Sequence, residues 1–372
     1  MAIRVVGIDP GTRSFDILGL EDGEVFLDES IPSREIAENP ESLVKLLTDA
    51  RPLDLVVGPS GYGLPIKHIS QISEEDIFQM VLVRPDDAEI PVLTGLTKAV
   101  KLLKENGLNV IFIPGVVHLP TVPTHRKVNA IDMGTADKLC CAVLAVYDYS
   151  ERHGVPFDKV SLILLEIGFG YNAGIAIENG RIVDGIGGTR AGPGFLTSGA
   201  LDGEVAYLLG GISKATLFTG GVRTIVGDDS LTPEDFPKRA KTEPRARLAW
   251  EAFMEGLEKT VRALQAAVKK PEAIIISGRL SNIPEIYEEI SKRIYDIARV
   301  EKLIGLQAKA KAAAQGAALI ADGLAGGKSR SLVEHMKIKD AVGTVLDHVY
   351  IGGLNKKLKI DRKENFFKFK NL

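Results

Sequence analysis

Cysteine is almost absent from this chain, with two residues in 372, and histidine is scarce, with six. Cys140 and Cys141 are adjacent in a helix-like segment, where neighbouring side chains diverge, so no disulfide is expected between them and both read as small buried hydrophobes. With no cysteine pair at ligand spacing and the histidines scattered, a zinc centre has nothing to stand on. No apolar run reaches about 18 residues, and the chain enters a strand almost at once, so neither a membrane span nor a signal peptide is expected. A formal net charge of −3 supplies no basic field for nucleic acid or a membrane surface. These absences leave a globular protein, expected in the cytoplasm and large enough for two domains. Lysine and glutamate are plentiful beside few asparagines and glutamines, a balance that points to a thermophilic source.

What the chain does contain is glycine at the ends of apolar runs. Residues 3–8 read as a buried strand, and Asp9-Pro10-Gly11-Thr12 supplies a turn. Residues 14–20 resume extended, and Glu21-Asp22-Gly23 closes a tight hairpin before 24–27. An acid at a strand end can hold a hydrated Mg²⁺, and glycine in the following turn lets phosphate approach the backbone. The same plan returns later without a gap. Asp9 and Glu166, Gly11 and Gly168, Glu21 and Glu178, Asp22 and Asn179, and Gly23 and Gly180 are each separated by 157 positions, as from 9 to 166. Two halves built on one supersecondary unit are expected.

Between the copies, 40–50 and 94–106 read as helices and 53–57 and 109–113 as buried strands. The stretch 114–130, with His118, His125 and the pair Arg126-Lys127, is long for a loop in a compact domain and is expected to be functional or a lid. Asp132 and Lys138 flank the start of a helix over 135–149, whose first turn suits an anion. After the second hairpin comes Gly187-Gly188-Thr189-Arg190-Ala191-Gly192-Pro193-Gly194, where a guanidinium among glycines could grip a carboxylate or phosphate bidentately. Residues 211–237 are polar and turn-rich, 245–269 has long helical periodicity, and the strand 273–276 runs into Ser277-Gly278-Arg279. A helix follows from near Pro284, and 306–324 is an alanine-rich helix.

With those pieces in place, the chain resembles the superfamily of acetate and sugar kinases, large heat-shock chaperones and actin, over roughly residues 3–324. Within it the chain is most similar to an archaeal family labelled predicted butyrate kinase. The resemblance implies an α/β protein of two ribonuclease H-like (actin-like ATPase) domains, 1–150 and 151–324, around a central nucleotide cleft. Residues 325–372 form a tail expected to pack back on the first domain. By the same resemblance Gly11 and Thr12 belong to a first phosphate motif, Gly168, Phe169 and Gly170 to a second, and Ser277, Gly278 and Arg279 to an adenosine loop. Helices 135–149 and 306–324 would connect the domains, and the Gly188-Thr189-Arg190 run is similar to the segment around the catalytic arginine of acetate kinases. The departures are acidic: Asp9 and Glu166 stand where carboxylate kinases carry asparagine and a His-Leu-Gly run, which brings the turns closer to the sugar-kinase and chaperone pattern.

The function implied is phosphoryl transfer from Mg-ATP to a small acid such as butyrate. Asp9 and Glu166 would hold the metal, Arg190 would offset charge on the transferred group, and Asp132 would serve as base if the acceptor were a hydroxyl. A sugar or other hydroxyl kinase is the enzymatic alternative. An ATP-binding switch acting on a protein partner is the non-catalytic one. A dinucleotide dehydrogenase is disfavoured because the Gly168–Gly170 turn leads into a hairpin instead of a helix. A metal-dependent carbamoyl-type transferase is disfavoured because His118 and His125 lack a close pair spacing on one helix face. No nucleic acid or membrane partner is implied, and a homodimer is compatible with the reading.

Overall fold

A computed structural model of the chain describes residues 2–11, 13–84, 91–352, 360–361 and 368–369. Two sheets dominate it. The first contains β1 (Arg4–Pro10), β2 (Ser14–Glu21), β3 (Glu24–Pro32), β4 (Leu55–Val57), β5 (Lys67–His68) and β6 (Val110–Phe112) in the order β3-β2-β1-β4-β6-β5. The second contains β7 (Leu162–Ile167), β8 (Asn172–Glu178), β9 (Arg181–Ile186), β10 (Ala273–Ser277) and β11 (Arg299–Lys302) in the order β11-β10-β7-β8-β9. Each is an antiparallel three-stranded meander joined through its first strand to parallel strands. The expectation of two ribonuclease H-like domains is met.

The spacing of 157 survives in the backbone. Asp22 and Gly23 have φ of 49° and 84°, and Asn179 and Gly180 have 51° and 69°, so both hairpins close on two residues with positive φ. The register of β2 against β3 shifts between Gly19 and Leu20, and that of β8 against β9 shifts between Ala176 and Ile177, again 157 positions on.

Strand side chains alternate between two cores, because successive Cβ atoms point to opposite sheet faces. Val5, Val57, Leu162, Leu164 and Ile275 face a central core, whereas Val6 and Val56 face one outer core and Ile163, Leu165 and Ile276 the other. Burial on both faces is why these strands read as continuous apolar runs instead of alternating ones.

The central core is made by two connecting helices, Ala136–His153 and Ala312–Ala325, packed between the sheets. They approach so closely that a Cβ on Gly316 would lie 1.9 Å from the carbonyl oxygen of Cys140, which only glycine avoids. The outer faces are covered by Ser33–Glu38, Glu41–Asp49 and Pro91–Glu105 on one side, and by Pro244–Leu264 and Pro284–Ile294 on the other.

Two expectations need correction. The second connecting helix begins at Ala312 and not at 306, because the amides of Lys309 and Ala310 are committed to the Asp28 carboxylate at 2.7 and 2.8 Å and that of Leu306 to Gln315 Oε1. The stretch 114–130 is no lid: Val116, Val117, His118, Leu119 and Val122 are buried in it, and Lys127 Nζ donates to the Leu119 carbonyl. The segment after Gly327 touches both lobes, through Arg181 Nε to the His335 carbonyl and the Asn129 amide to the His348 carbonyl.

Candidate active site

Because β1 and β7 are equivalent strands at the centres of their sheets, their terminal acids reach one cavity. Asp9 ends one and Glu166 the other, and both line a cavity of about 570 Å³ between the lobes. The first connecting helix enters the same space with its first turn, bringing Asp137 and Lys138. Lys138 Nζ lies 2.6 Å from Asp137 Oδ2 and 2.9 Å from Glu166 Oε2. The second contact is an ion pair off the hydrogen-bond axis, so Glu166 Oε2 is buried with no donor.

The electrostatics of this floor follow from burial. Burial, then repulsion from Asp137, raises Asp9 from 3.8 to about 7, against the pull of Lys311 and Lys138. Burial would raise Asp137 too, but Lys138 and the Thr135 hydroxyl outweigh it and hold that carboxyl below its usual value. Lys138 is raised well above the ordinary lysine range: burial opposes its charge, and Asp137 and Glu166 overcome that.

Glu166 Oε2, which accepts no hydrogen bond, and Asp9, whose charged form burial disfavours, are carboxylates that a further cation would stabilise. Among the described residues no three His, Cys, Asp or Glu side chains are arranged to hold a metal ion by themselves. That combination suits Mg²⁺, which keeps several waters and takes one or two carboxylates plus substrate phosphates.

Gly11, Gly168, Phe169, Gly170, Ser277, Gly278 and Arg279 all lie on the cavity wall, as does Asp132. Thr12 lies outside the described residues. The glycine amides do not behave as the sequence suggests: Gly11 N–H donates to the Asp9 carbonyl and Gly168 N–H to the Tyr171 carbonyl, closing their own turns. The amides of Phe169 and Gly170, in the same turn, donate to no protein acceptor among the described residues.

Asp132 is buried and accepts from the Gly134 amide at 3.2 Å, the Thr189 amide at 3.0 Å and the Thr189 hydroxyl at 3.1 Å. A Cβ on Gly187 would lie 1.6 Å from Asp132 Oδ1, so this glycine makes room for the carboxylate, whereas Gly188 packs on Tyr171, Gly192 on Gly256 and Gly194 on the Gly170 carbonyl. Arg190 is placed apart from these residues. It is exposed, does not line the cavity, and its Nη1 reaches only the Gly185 carbonyl at 3.5 Å. The tight turn in which Arg190 and Ala191 amides both donate to the Gly187 carbonyl directs the backbone to Asp132 and leaves Arg190 outside.

Sequence reasoning missed Lys311, which precedes the second connecting helix, contacts Asp16 Oδ2 at 2.6 Å and donates to Ser14 Oγ at 2.7 Å. It also missed the far end of the cavity, where Met80, Leu96, Ile113 and Phe218 form an apolar wall. There Lys214 Nζ donates to the Tyr62 hydroxyl at 3.1 Å. A lysine next to an alanine run was a visible signal for the first; contacts across 152 positions offered none for the second.

Comparison with known proteins places this geometry. A family model described as Protein of unknown function (DUF1464) matches residues 7–351. No curated protein matches the sequence. Among solved structures, the propionate kinase from Francisella tularensis superposes with a TM-score of 0.62 at 13% identity, covering 85% of this chain and 98% of that one. The acetate kinase from Entamoeba histolytica gives 0.58 at 13% identity, covering 79% and 86%. The acetate kinase from Porphyromonas gingivalis gives 0.55 at 18% identity, covering 79% and 88%. At these identities the likeness is one of fold, the two-domain actin-like ATPase fold.

Proposed function

The chain belongs to the family described as Protein of unknown function (DUF1464), and from its cleft we propose that it is an ATP-dependent phosphotransferase acting on a small acceptor. One observation carries the reading: two equivalent strand ends, Asp9 and Glu166, line one cavity of about 570 Å³ whose wall includes Phe169 and Gly170, their amides without a protein acceptor among the described residues. Acids for a hydrated cation and free amides for phosphate are what phosphoryl transfer requires, since positioning and charge stabilisation supply most of its catalysis.

Asp9 and Glu166 are the residues that would hold Mg²⁺, which when bound neutralises phosphate charge. Ser277 and Gly278, after β10, take the adenosine end. The acceptor end is the apolar wall of Met80, Leu96, Ile113 and Phe218, with Lys214 and Tyr62 as its polar groups. A short carboxylate with an aliphatic body, butyrate-like, suits such a wall, and needs no base because it is already ionised at neutral pH.

Asp132 favours a second reading. A carboxylate on the same wall would repel an acid acceptor but could take the proton of a hydroxyl, as a sugar kinase needs. The two readings separate in one assay: ADP release from Mg-ATP over a panel of short carboxylates and sugars, with hydroxylamine present to trap acyl phosphate. Hydroxamate with a short acid supports the carboxylate kinase, and sugar-dependent ADP release without hydroxamate supports the hydroxyl kinase. ADP release that no acceptor stimulates would overturn both.

A further inference from the structure

Three guanidinium groups converge on a single ring. Arg13 Cζ lies 5.0 Å, Arg279 Cζ 5.3 Å and Arg223 Cζ 5.4 Å from the centroid of Phe169. Phe169 sits in the β7–β8 turn of the second sheet, whereas Arg13 sits in the β1–β2 turn of the first, so the stack spans the cleft. Arg13, Phe169 and Arg279 all line the cavity.

Three like charges need a compensating partner, and the protein supplies little. Arg279 has one acid, the exposed Glu234, at 3.6 Å. Arg223 Nε is held by the Leu231 carbonyl, and Arg13 has no ion pair among the described residues. The ring faces orient the guanidiniums without neutralising them. Beside them are the two amides, of Phe169 and Gly170, that lack protein acceptors.

We propose that Arg13 and Arg279, docked on Phe169, form a clamp between the lobes for a polyphosphate chain, with Arg223 as a positioning residue behind the ring. Guanidinium forks bind phosphate oxygens bidentately, and a chain of linked phosphates is long enough to engage one fork from each lobe. The stack already joins the lobes through Phe169, and phosphate held by both arginines adds to that contact, so the polyphosphate tail, more than the base, favours the closed cleft. The inference rests on the reading of this cleft as a nucleotide site, and it gives Arg13 the part that sequence resemblance assigns to Arg190.

The test uses inorganic tripolyphosphate, titrated by calorimetry into the full chain, alongside displacement of a fluorescent ATP analogue. Arg13→Gln and Arg279→Gln are each expected to weaken tripolyphosphate about tenfold or more, and Arg190→Gln to leave it within about twofold. Adenosine affinity should be unchanged in Arg13→Gln. Arg13→Lys, which keeps the charge and loses the fork, should recover only part of the affinity. Both arginines are exposed, so folding of the variants is checked simply by their circular dichroism and melting temperature. Tripolyphosphate that fails to bind the wild-type chain, or binds Arg13→Gln as tightly as wild type, overturns the clamp. Tripolyphosphate binding that Arg13→Gln abolishes, in a protein that turns over no acceptor, leaves the clamp standing and removes the phosphotransferase reading instead.

Discussion

Lys138, on the helix that joins the lobes, reaches Glu166 at the end of β7 with Nζ 2.9 Å from Oε2, so one half-buried ammonium ties the connecting helix to the second hairpin. The same nitrogen holds Asp137 at 2.6 Å. Removing it strands two half-buried acids on the cavity wall. Lys138→Met is therefore expected to cost roughly 1–3 kcal/mol of unfolding free energy, the scale for leaving partly buried polar groups without their partner. Adding Glu166→Gln should restore part of the loss, since one stranded charge is then gone. Urea denaturation of the two single variants and the double variant measures the coupling, and strictly additive losses would contradict it.

Asp9 is held in the opposite condition, a charge the fold does not welcome. Its unfolded carboxyl releases a proton near 3.8 and its folded one near 7. Between those values the folded state binds more protons, so this group's contribution is fully favourable below pH 3.8 and is lost as pH rises through 7. At about 1.4 kcal/mol per pH unit the loss amounts to about 4 kcal/mol above neutrality. Asp9→Asn should therefore be more stable than wild type at pH 8, converge with it near pH 4, and have lost phosphoryl transfer. Melting temperatures at the two pH values decide it; a variant less stable at pH 8 would show that Asp9 is anchored by its cations.

The hairpins, the duplication and both connecting helices were legible because they are local: an acid, a glycine and an Asx-Gly pair recur in a register that the backbone keeps down to its β-bulges. Nine of the ten described cofactor, metal and base positions reached the cavity wall for the same reason, since a strand end projects whatever residue occupies it into the cleft; Asp132 is the tenth, placed there by the glycine turn that it anchors. Arg190 lies off the cavity wall because a glycine-rich run signals close backbone approach without saying to what, and here the close neighbours are Asp132, Tyr171 and Gly256. Arg13, Lys214 and Lys311 went unread because their roles depend on contacts between residues far apart in the chain, which no periodicity reports.

His118 carries the acid sensitivity that Asp9 conceals. Its ring is buried, its Nδ1 lies 3.2 Å from the Gly115 amide, its Nε2 has no partner, and burial lowers its pKa from 6.5 to about 4. Here the unfolded state takes up the proton first, so stability falls as pH drops from 6.5 to 4, by about 3 kcal/mol. Over nearly the same interval Asp9 acts with the opposite sign, and the wild-type profile should be comparatively flat. In the Asp9→Asn background the histidine term is exposed: denaturation midpoints should fall steeply between pH 6.5 and pH 4, and His118→Gln should flatten that fall. A flat profile in Asp9→Asn would mean that His118 reaches water.

Asp132 decides between the two acceptor classes more directly than any binding measurement. Three donors hold its carboxylate in place, and Asp132→Asn leaves the shape of the side chain nearly unchanged while removing its capacity to take a proton. If a hydroxyl is the acceptor, kcat should fall by about 10²–10⁴ with little change in KM for ATP, the range for a general base. If a carboxylate is the acceptor, no proton is transferred, and removing a negative charge from the wall should instead lower KM for the acid. Arg190→Ala, made in parallel, should alter either activity by less than about threefold, because an exposed guanidinium outside the cleft contributes little to events within it. A large loss in Arg190→Ala would mean that the loop carrying it turns inward when substrates bind, and would return the charge-offsetting role from Arg13 to Arg190.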